Sequence, residues 1–404
     1  MRIAILSDDF LPNSTRIHAK MLHELAIELG NRGHEVVVIT PNNSKGCDRL
    51  VYKNVDGAEV WFFRARPTRG IGHFRRAINE TLLSMYAILA LKNSKLNTNF
   101  DLCINYSPTI FFGPLAAWFG RKGCFVYLVL RDFFPQWIID QGMISNNSLI
   151  AYYFRFFERL NYRATDIIAV QSPANIGVFA QMHGGKLSAQ QVLYNWADIN
   201  RSKDSTFGEQ LMLQNRLIDK VVFLYGGNMG HAQDMDNLMR LARGLKAAPE
   251  ACLLLIGQGD EFDLVNSRRV QWSLDNVTVL PSISQDQFKS VLSQVDVGII
   301  SLSSSHSGHN YPGKMLGYMV ESLPILGSIN DGNDLQGLVN RADAGFVCIN
   351  GDDEGFLANA LQLATDHSLR QRMGDQAKTL LNNVFSVERA ATQILESIPE
   401  RTNV

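Results

Sequence analysis

Three glycine-rich turns in the second half of the chain have the composition of phosphate-binding loops. Each follows an apolar run, and the turns cover residues 226–231, 257–260 and 311–315. Glycine lets a backbone approach a ligand closely, and free amides at a helix start attract an anion such as a diphosphate. Lys314 adds a positive charge that suits phosphate. Any one turn could be an ordinary strand-to-helix connection, but three turns at one sheet edge favour phosphate binding.

The elements that position these turns alternate between strands and helices. Short apolar runs such as residues 2–7 and 35–40 are typical of parallel strands buried on both faces. Between them, residues 14–32 carry an apolar stripe at helical spacing. Further strands are predicted at residues 59–63, 102–105, 125–130, 166–170, 191–193, 220–225, 251–256, 277–280, 297–301, 324–327 and 345–349. This βαβ series predicts an α/β protein with parallel sheets.

The length of 404 residues is too great for one hydrophobic core, and the βαβ series pauses once. Residues 199–218 are polar and irregular, which indicates a linker between Rossmann-like domains at residues 1–198 and 219–382. Residues 383–404 are expected to form a C-terminal helix that could pack back on the first domain. Doubly wound sheets bind ligands at the carboxyl ends of their strands, so we expect two domains facing a central cleft.

The composition excludes several classes of protein. A net charge of −1 offers no reason to expect nucleic acid as a partner. The five cysteines are scattered, which fits reduced thiols in the cytoplasm and predicts no zinc site. No apolar stretch reaches the roughly 20 residues that a membrane-spanning helix needs. The first strand is not followed by the Gly-x-Gly-x-x-Gly motif of dinucleotide-binding domains, which argues against a dinucleotide-dependent oxidoreductase.

A cluster of arginines in the first half is the second chemical signal. No acidic residue lies between Glu59 and Glu80, and residues 71–89 carry apolar side chains at helical spacing. The arginines are Arg64, Arg66, Arg69, Arg75 and Arg76, and the apolar side chains are Ile71, Phe74, Ile78, Leu82, Met85 and Leu89. A basic rim beside an amphipathic helix predicts a peripheral protein on an anionic membrane surface. The alternative is that the stripe packs on the sheet and the arginines are merely solvated.

Ordered motifs along nearly the whole chain resemble those of the retaining GT-B glycosyltransferases of family 4. Residues 32–36 read RGHEV, residues 195–198 (NWAD) stand where the family has NGVD, and residues 311–319 (YPGKMLGYM) resemble its PSKLLEYMA segment. Within that family, RDFFP at residues 131–135 and GNDL at residues 332–335 are most similar to O-antigen and capsule amino-sugar transferases of the fucosamine type.

The resemblance implies a retaining, metal-independent hexosyltransferase that needs no cofactor. The expected donor is a nucleotide-diphosphate sugar, a UDP-linked deoxy amino sugar, which would bind the second domain. The expected acceptor is a lipid-diphosphate-linked saccharide of O-antigen lipopolysaccharide or capsule assembly, at the inner face of the cytoplasmic membrane. The expected donor-binding residues are Gly227, Asn228, Gln233, Gly257, Gly259, Asn310, Tyr311, Gly313 and Lys314. The expected acceptor-side residues are Asn13, Ser14, Thr15, Arg69, Arg75 and Arg76.

Several residues that the family commonly uses are replaced in this sequence. His309 and Gly317 match the positions of a glutamate pair around the donor sugar. Asn228 and Gln233 match an arginine and a lysine that grip the diphosphate. Lys314 would therefore have to supply much of the positive charge at the donor.

The candidate catalytic residues are Asp132, His309 and Arg131. Arg131-Asp132 stands where the family has His-Asp, directly after the predicted strand at residues 125–130. A carboxylate near the acceptor hydroxyl and a histidine near the donor sugar would stabilise an oxocarbenium-like transition state, and Arg131 would add positive charge. The alternatives are that Asp132 caps a short helix near Pro135 and that His309 is merely exposed.

Two other functions fit the same pattern. A sugar-nucleotide 2-epimerase would have the same two-domain shape. The missing glutamate pair also leaves open a catalytically impaired subunit that only binds the donor.

Overall fold

The computed structural model describes residues 1–12, 14, 16–44, 46–68, 70–184, 189–201, 204–305, 308–309 and 311–399, and the chain divides into two compact units. The first unit comprises Met1–Asn195 together with the C-terminal segment that begins at Val387, and the second comprises Trp196–Ser386. Each unit contains one sheet flanked by helices, which confirms the predicted doubly wound α/β architecture of each half.

The sheet of the first unit has eight strands in the order β3-β4-β2-β1-β5-β6-β7-β8. The strands are β1 (Arg2–Leu6), β2 (Glu35–Asn42), β3 (Leu50–Val55), β4 (Ala58–Arg64), β5 (Leu102–Tyr106), β6 (Phe125–Leu130), β7 (Ile167–Val170) and β8 (Ala189–Val192). The helices are α1 (Ile17–Asn31), α2 (His73–Thr81), α3 (Leu83–Lys92), α4 (Gly113–Gly120), α5 (Gln136–Asp140), α6 (Leu149–Arg163) and α7 (Pro173–His183). β1 lies near the centre of the sheet, where its apolar run is covered on both faces.

Strand β3 is the element of this sheet that the sequence analysis missed. It pairs antiparallel with β4 through a turn at Asp56 and Gly57, which both have positive φ. Asp-Gly is a preferred pair for such a hairpin turn because aspartate and glycine tolerate that backbone conformation. Tyr52 and Lys53 of β3 are exposed, so the strand lacks the continuous apolar run that revealed the central strands.

Helix α1 shows how burial selects one face of the predicted stripe. It begins at Ile17 rather than at residue 14, and Ile17 itself is exposed. Met21, Leu22 and Leu25 are buried as the helical spacing predicts. The helix packs on the sheet through that face.

The sheet of the second unit has six parallel strands in the order β11-β10-β9-β12-β13-β14. The strands are β9 (Val221–Asn228), β10 (Ala251–Gln258), β11 (Val277–Pro281), β12 (Val297–Ser301), β13 (Ile325–Ile329) and β14 (Gly345–Ile349). The helices are α8 (Thr206–Gln214), α9 (Met235–Gly244), α10 (Phe262–Gln271), α11 (Gln285–Leu292), α12 (Lys314–Val320), α13 (Leu335–Arg341), α14 (Asp353–Thr365) and α15 (His367–Leu380). The last helix, α16 (Val387–Glu396), belongs to the first unit.

Residues 199–201 and 204–218, which were predicted to form a linker, lie within the second unit. Leu211 and Met212 of α8 are buried, and the amide of Gly208 donates to Ser290 Oγ on α11 at 2.9 Å. A side chain at Gly208 would overlap the Ser290 carbonyl, so the two helices are in close contact. The flanking polar residues hid this short apolar face.

Helix α16 is held to α1 within the first unit. The guanidinium of Arg32 donates to Thr392 Oγ1 at 2.8 Å and to the Glu388 carbonyl at 2.7 Å. Arg32 is the first residue of the RGHEV motif, so this motif residue has a structural contact. Across the part of the chain that the structure describes, no helix is both long and apolar enough to cross a membrane.

Candidate active site

The first two glycine-rich turns are the ends of neighbouring strands. β9 and β10 stay paired into the glycines, so Gly227 is level with Gly257 and Asn228 with Gln258. A side chain at Gly257 would overlap the Gly227 carbonyl, and one at Gly259 would overlap the backbone of Met229. Both sites therefore require glycine, and the two backbones approach each other at the carboxyl edge of the sheet.

Lys314 brings a positive charge to this edge. Its Nζ lies 3.5 Å from the centre of the Tyr225 ring, and Nζ would be 3.7 Å from a Cβ at Gly227. None of the described residues forms an ion pair with this ammonium. The low-polarity surroundings lower its pKa from 10.5 to about 7. Because burial disfavours the charged form of Lys314, an anion that binds beside Gly227 would stabilise the ammonium.

Asn228 and Gln233 are used within the turn itself. The Asn228 amide donates to Gln233 Oε1 at 2.8 Å, and the Tyr225 hydroxyl donates to the Asn228 carbonyl. These two side chains stand at the family's arginine and lysine positions, but they tie the loop together instead of adding charge. Two hydrogen bonds therefore hold the turn, and neither involves a cation.

The third turn is held by the loop that follows β13. The Tyr311 hydroxyl donates to Asp334 Oδ1 at 2.9 Å, and the Asn330 amide donates to the Gly308 carbonyl at 3.1 Å. Tyr311 is buried, and Gly313 directly precedes α12. The GNDL motif, noted only as a resemblance, thus includes a side chain that positions the turn carrying Lys314.

His309 lies shortly before the third turn, between β12 and α12. Its Cε1 is 3.4 Å from the point where a Cβ at Gly332 would be, so the glycine leaves room for the imidazole. The buried Nδ1 of His309 has no hydrogen-bond partner among the described residues. His309 is half-buried rather than merely exposed, and it keeps a free hydrogen-bonding atom.

The first unit contains a separate cleft of about 200 Å³ at the carboxyl ends of its strands. Its polar lining includes Asp8, Arg76, Glu80, Thr109 and Asp132, and its aromatic lining includes Phe134 and Trp137. The predicted residues Asp132 and Arg76 are therefore brought together. Three carboxylates beside aromatic rings form a cleft that suits a ligand with hydroxyl groups and an apolar face.

Asp132 lies at the mouth of this cleft, where part of its surface is exposed. The surrounding protein raises the pKa of its carboxyl, and the positive charge of Arg131 opposes that change. Helix α5 begins at Gln136, its N-cap residue is Pro135, and no side-chain hydrogen bond caps it, so Asp132 does not act as its cap. The carboxylate is free of the structural role that the sequence analysis considered as the alternative.

Arg131 has a structural environment that the sequence analysis did not foresee. Its guanidinium donates to the carbonyls of Leu193 and Tyr194, the latter at 3.2 Å, and lies over the Tyr106 ring. Burial lowers its pKa. The side chain joins the ends of β6 and β8. Its guanidinium, which was expected to face a ligand, is used in these hydrogen bonds within the protein.

The predicted acceptor-side residues differ in how they are engaged by their neighbours. The Ser14 hydroxyl donates to Asp9 Oδ2 at 2.5 Å, Arg75 is exposed, and Arg76 pairs with Glu80 at 2.8 Å. The candidates Asn13, Thr15, Arg69 and Asn310 lie outside the described residues.

The predicted apolar stripe beside the arginines does not pack fully on the sheet. Ile78, Met85 and Leu89 are exposed, while Ile71 and Leu82 are half-buried. The side chain of Phe74 lies outside the described part of the structure. The solvent-facing part of the stripe is therefore available for contact.

Helix α6 adds exposed apolar side chains to the same unit. Tyr152 and Phe156 are both 56% exposed, and Leu149 is 89% exposed, while Phe154 packs inward on Phe111. Trp137 and Met143 are also exposed, and the sequence analysis did not single them out.

The chain matches two sequence families, one in each unit. Residues 18–196 match the glycosyl transferase 4-like domain, and residues 212–380 match the glycosyl transferases group 1 family. The chain is a glycosyltransferase with the GT-B fold. The predicted GT-B fold is thus confirmed, and so is the prediction that the chain is a glycosyltransferase.

Relatives of this glycosyltransferase include proteins of polysaccharide assembly. WcaI of Escherichia coli, named as a colanic acid biosynthesis glycosyl transferase, is 23% identical over 319 residues, which are 74% of this chain and 76% of WcaI. The structure of HepE from Anabaena in complex with UDP and glucose has a TM-score of 0.65 at 15% identity and covers 98% of this chain and 99% of HepE. WaaG, a glycosyltransferase involved in lipopolysaccharide biosynthesis, has a TM-score of 0.63 at 14% identity and covers 97% of this chain and 99% of WaaG.

Proposed function

We propose that this glycosyltransferase moves a deoxy amino sugar from a UDP-linked donor to a lipid-diphosphate-linked saccharide in O-antigen or capsule assembly. Transfer retains the anomeric configuration and needs no metal ion. The observation that carries the donor class is the Lys314 ammonium, which lies beside Gly227 without an acidic partner among the described residues. HepE holds UDP and glucose, which supports a UDP-linked donor for a chain of the same fold.

On the donor side, the chemical task is to stabilise the diphosphate as it leaves. Lys314 can donate a charge-assisted hydrogen bond to a phosphate oxygen, and that bond strengthens as negative charge develops. Gly227 and Gly257 have no side chain to hold the nucleotide away from the backbone. His309, with a free Nδ1, would contact the donor sugar.

On the acceptor side, the cleft of the first unit would hold the saccharide. Asp8 and Asp132 can accept hydrogen bonds from sugar hydroxyls, while Phe134 and Trp137 can pack on the apolar face of a sugar ring. Asp132 would orient the attacking hydroxyl and accept its hydrogen bond. Its raised pKa makes it a better hydrogen-bond acceptor than an ordinary aspartate.

The lipid part of the acceptor would lie at the cytoplasmic face of the membrane, where the protein binds peripherally. Exposed apolar side chains on α2, α3 and α6 can enter the headgroup region, and Arg64, Arg66, Arg75 and Arg76 can attract anionic lipids. The biosynthetic roles in the names of WcaI and WaaG are consistent with this acceptor class.

The decisive experiment is incubation with a panel of UDP-sugars, with and without a lipid-diphosphate saccharide, in the presence of EDTA. We expect UDP release only when the acceptor is present, and a product with retained configuration. Conversion of the donor to its 2-epimer would identify an epimerase instead. Binding of UDP-sugar without turnover of any donor and acceptor would identify a donor-binding subunit.

A further inference from the structure

The first glycine-rich turn contains one basic side chain, and no role has been assigned to it. His231 is the one basic residue between Gly226 and Asp234. The positions at which the family has arginine and lysine are occupied here by asparagine and glutamine. Asn228 and Gln233 are bonded to each other, so neither offers a charge to a ligand. His231 lies between them in the chain.

His231 is oriented by an acidic residue of the neighbouring turn. Its Nδ1 lies 2.8 Å from Glu261 Oε1. A carboxylate can only accept a hydrogen bond here, so Nδ1 carries the hydrogen. Nε2 is the remaining polar atom of the ring, and it has no hydrogen-bond partner among the described residues. The side chain is 82% exposed, so Nε2 is accessible to a ligand.

Glu261 is itself fixed, unlike a typical surface glutamate. Its side chain is 12% exposed, and its second oxygen accepts the Met235 amide at 3.0 Å. Its own amide donates to the Met229 carbonyl at 2.8 Å, which joins the two glycine-rich turns. Glu261 therefore holds the imidazole in one orientation relative to both turns.

We propose that His231 is a second phosphate-binding residue of the donor site and that Glu261 is its positioning residue. The proposal rests on the proposed function, because the ligand it names is the diphosphate of a nucleoside diphosphate. An anionic oxygen next to Nε2 favours the imidazolium, whose Nε2–H donates to that oxygen while Nδ1–H stays on Glu261. The imidazolium supplies a positive charge in a turn where Asn228 and Gln233 provide none.

The first test compares H231Q, H231R and wild-type protein by isothermal titration with UDP and with uridine. We expect H231Q to bind UDP about five- to tenfold more weakly, because a charge-assisted hydrogen bond is lost, and to bind uridine as wild type does. H231R should bind UDP within about twofold of wild type, since arginine restores a cation. The control H367Q changes an exposed histidine at the start of α15 and should alter neither affinity.

The second test separates positioning from a structural role of Glu261. In protein with ¹⁵N-labelled histidine, addition of UDP should shift the Nε2 signal of His231, and addition of uridine should not. E261Q retains an oxygen that can accept the Met235 amide but lacks the carboxylate. We expect it to change the ring-nitrogen signals of His231 before ligand is added and to weaken UDP binding about three- to fivefold.

The outcomes distinguish this inference from the proposed function. If wild-type protein binds UDP and H231Q binds it equally well, His231 is not a phosphate-binding residue. If E261Q only lowers the melting temperature and leaves the His231 signals and UDP affinity unchanged, Glu261 is structural. If wild-type protein does not bind UDP at all, the proposed donor class fails, and the assignment of His231 fails with it.

Discussion

The candidate sites of the two units are formed by different kinds of groups. In the second unit the site is backbone and glycine, with one ammonium, Lys314, that approaches the paired strands β9 and β10. In the first unit the site is a cleft lined by side chains, with carboxylates at Asp8 and Asp132 and a ring at Trp137. A backbone site suits a ligand part that every related donor shares, the diphosphate. A side-chain site suits a ligand part that differs between acceptors.

The largest expected effect tests whether the cleft of the first unit takes part in transfer. Asp132→Asn should lower turnover by about 10²–10⁴-fold, because a positioned carboxylate no longer orients the acceptor hydroxyl. The affinity for UDP should stay unchanged, since Asp132 belongs to the other unit. Acceptor-dependent UDP release measures the first quantity, and calorimetry measures the second.

The matched control for this variant is Asp140→Asn, an exposed aspartate on α5 of the same unit. Turnover of Asp132→Asn within a few-fold of the control, with the fold intact, would falsify the catalytic assignment of Asp132.

The next effect tests the cation of the backbone site. Lys314→Ala should weaken UDP binding by about 1.5–3 kcal/mol, which is about 10- to 150-fold, if the ammonium donates to phosphate. Lys289→Ala changes a partly exposed lysine on α11 of the same unit; it is the control and should bind UDP normally. Equal UDP affinity of the two variants in titration calorimetry would remove Lys314 from the donor site.

The third effect tests whether the first unit also carries the membrane contact. Neutralising Arg75 and Arg76 together should weaken binding to anionic vesicles by about 2 kcal/mol, or roughly 30-fold, since each arginine near the surface contributes about 1 kcal/mol. Cosedimentation at low salt measures this, and added salt should weaken wild-type binding too.

The control is the double variant Arg121→Gln and Arg163→Gln, which removes the same charge from the opposite edge of the same sheet. An equal loss of vesicle binding in both double variants would mean that the effect is net charge. Absence of binding in wild type would mean that the arginines are only solvated.

The smallest effect is a pH dependence of donor affinity. The pKa of free Lys314 is about 7, and a bound diphosphate favours the charged ammonium. Affinity should therefore be full well below pH 7 and fall up to about tenfold as the pH rises through 7 to about 8. UDP-glucose is the suitable probe, because its diphosphate does not titrate in this range. In an H231R background, which places a cation that does not titrate in this range at position 231, Lys314→Arg should remove the dependence, and an unchanged slope there would assign it to another group.

The elements that could be predicted are those with a clear local sequence pattern. Buried parallel strands such as β1 and β2 are continuous apolar runs, and α1 carries its stripe at helical spacing. Strand β3 and helix α8 were missed because only one face of each is apolar and their partners are elsewhere in the chain. Edge and boundary elements depend on contacts that a local pattern does not encode.

The candidate donor site was largely predictable, whereas the acceptor cleft was not. Gly227, Gly257 and Lys314 follow recognisable strands, and the parallel sheet brings their turns to one edge. The cleft combines Asp8, Glu80 and Trp137 from separate parts of the chain, which no spacing reveals. Only its Asp132 and Arg76 were foreseen.

The sequence by itself determined the two α/β units, the glycines and the absence of the usual arginine and lysine, since these follow from residue type and order. Tertiary structure decided which charges are available. Arg131, the expected catalytic cation, donates its hydrogen bonds to the carbonyls of Leu193 and Tyr194. Lys314, in contrast, has no acidic partner among the described residues. The physical reason is that the availability of a charge depends on every neighbour within hydrogen-bonding distance, and those neighbours come from distant parts of the chain.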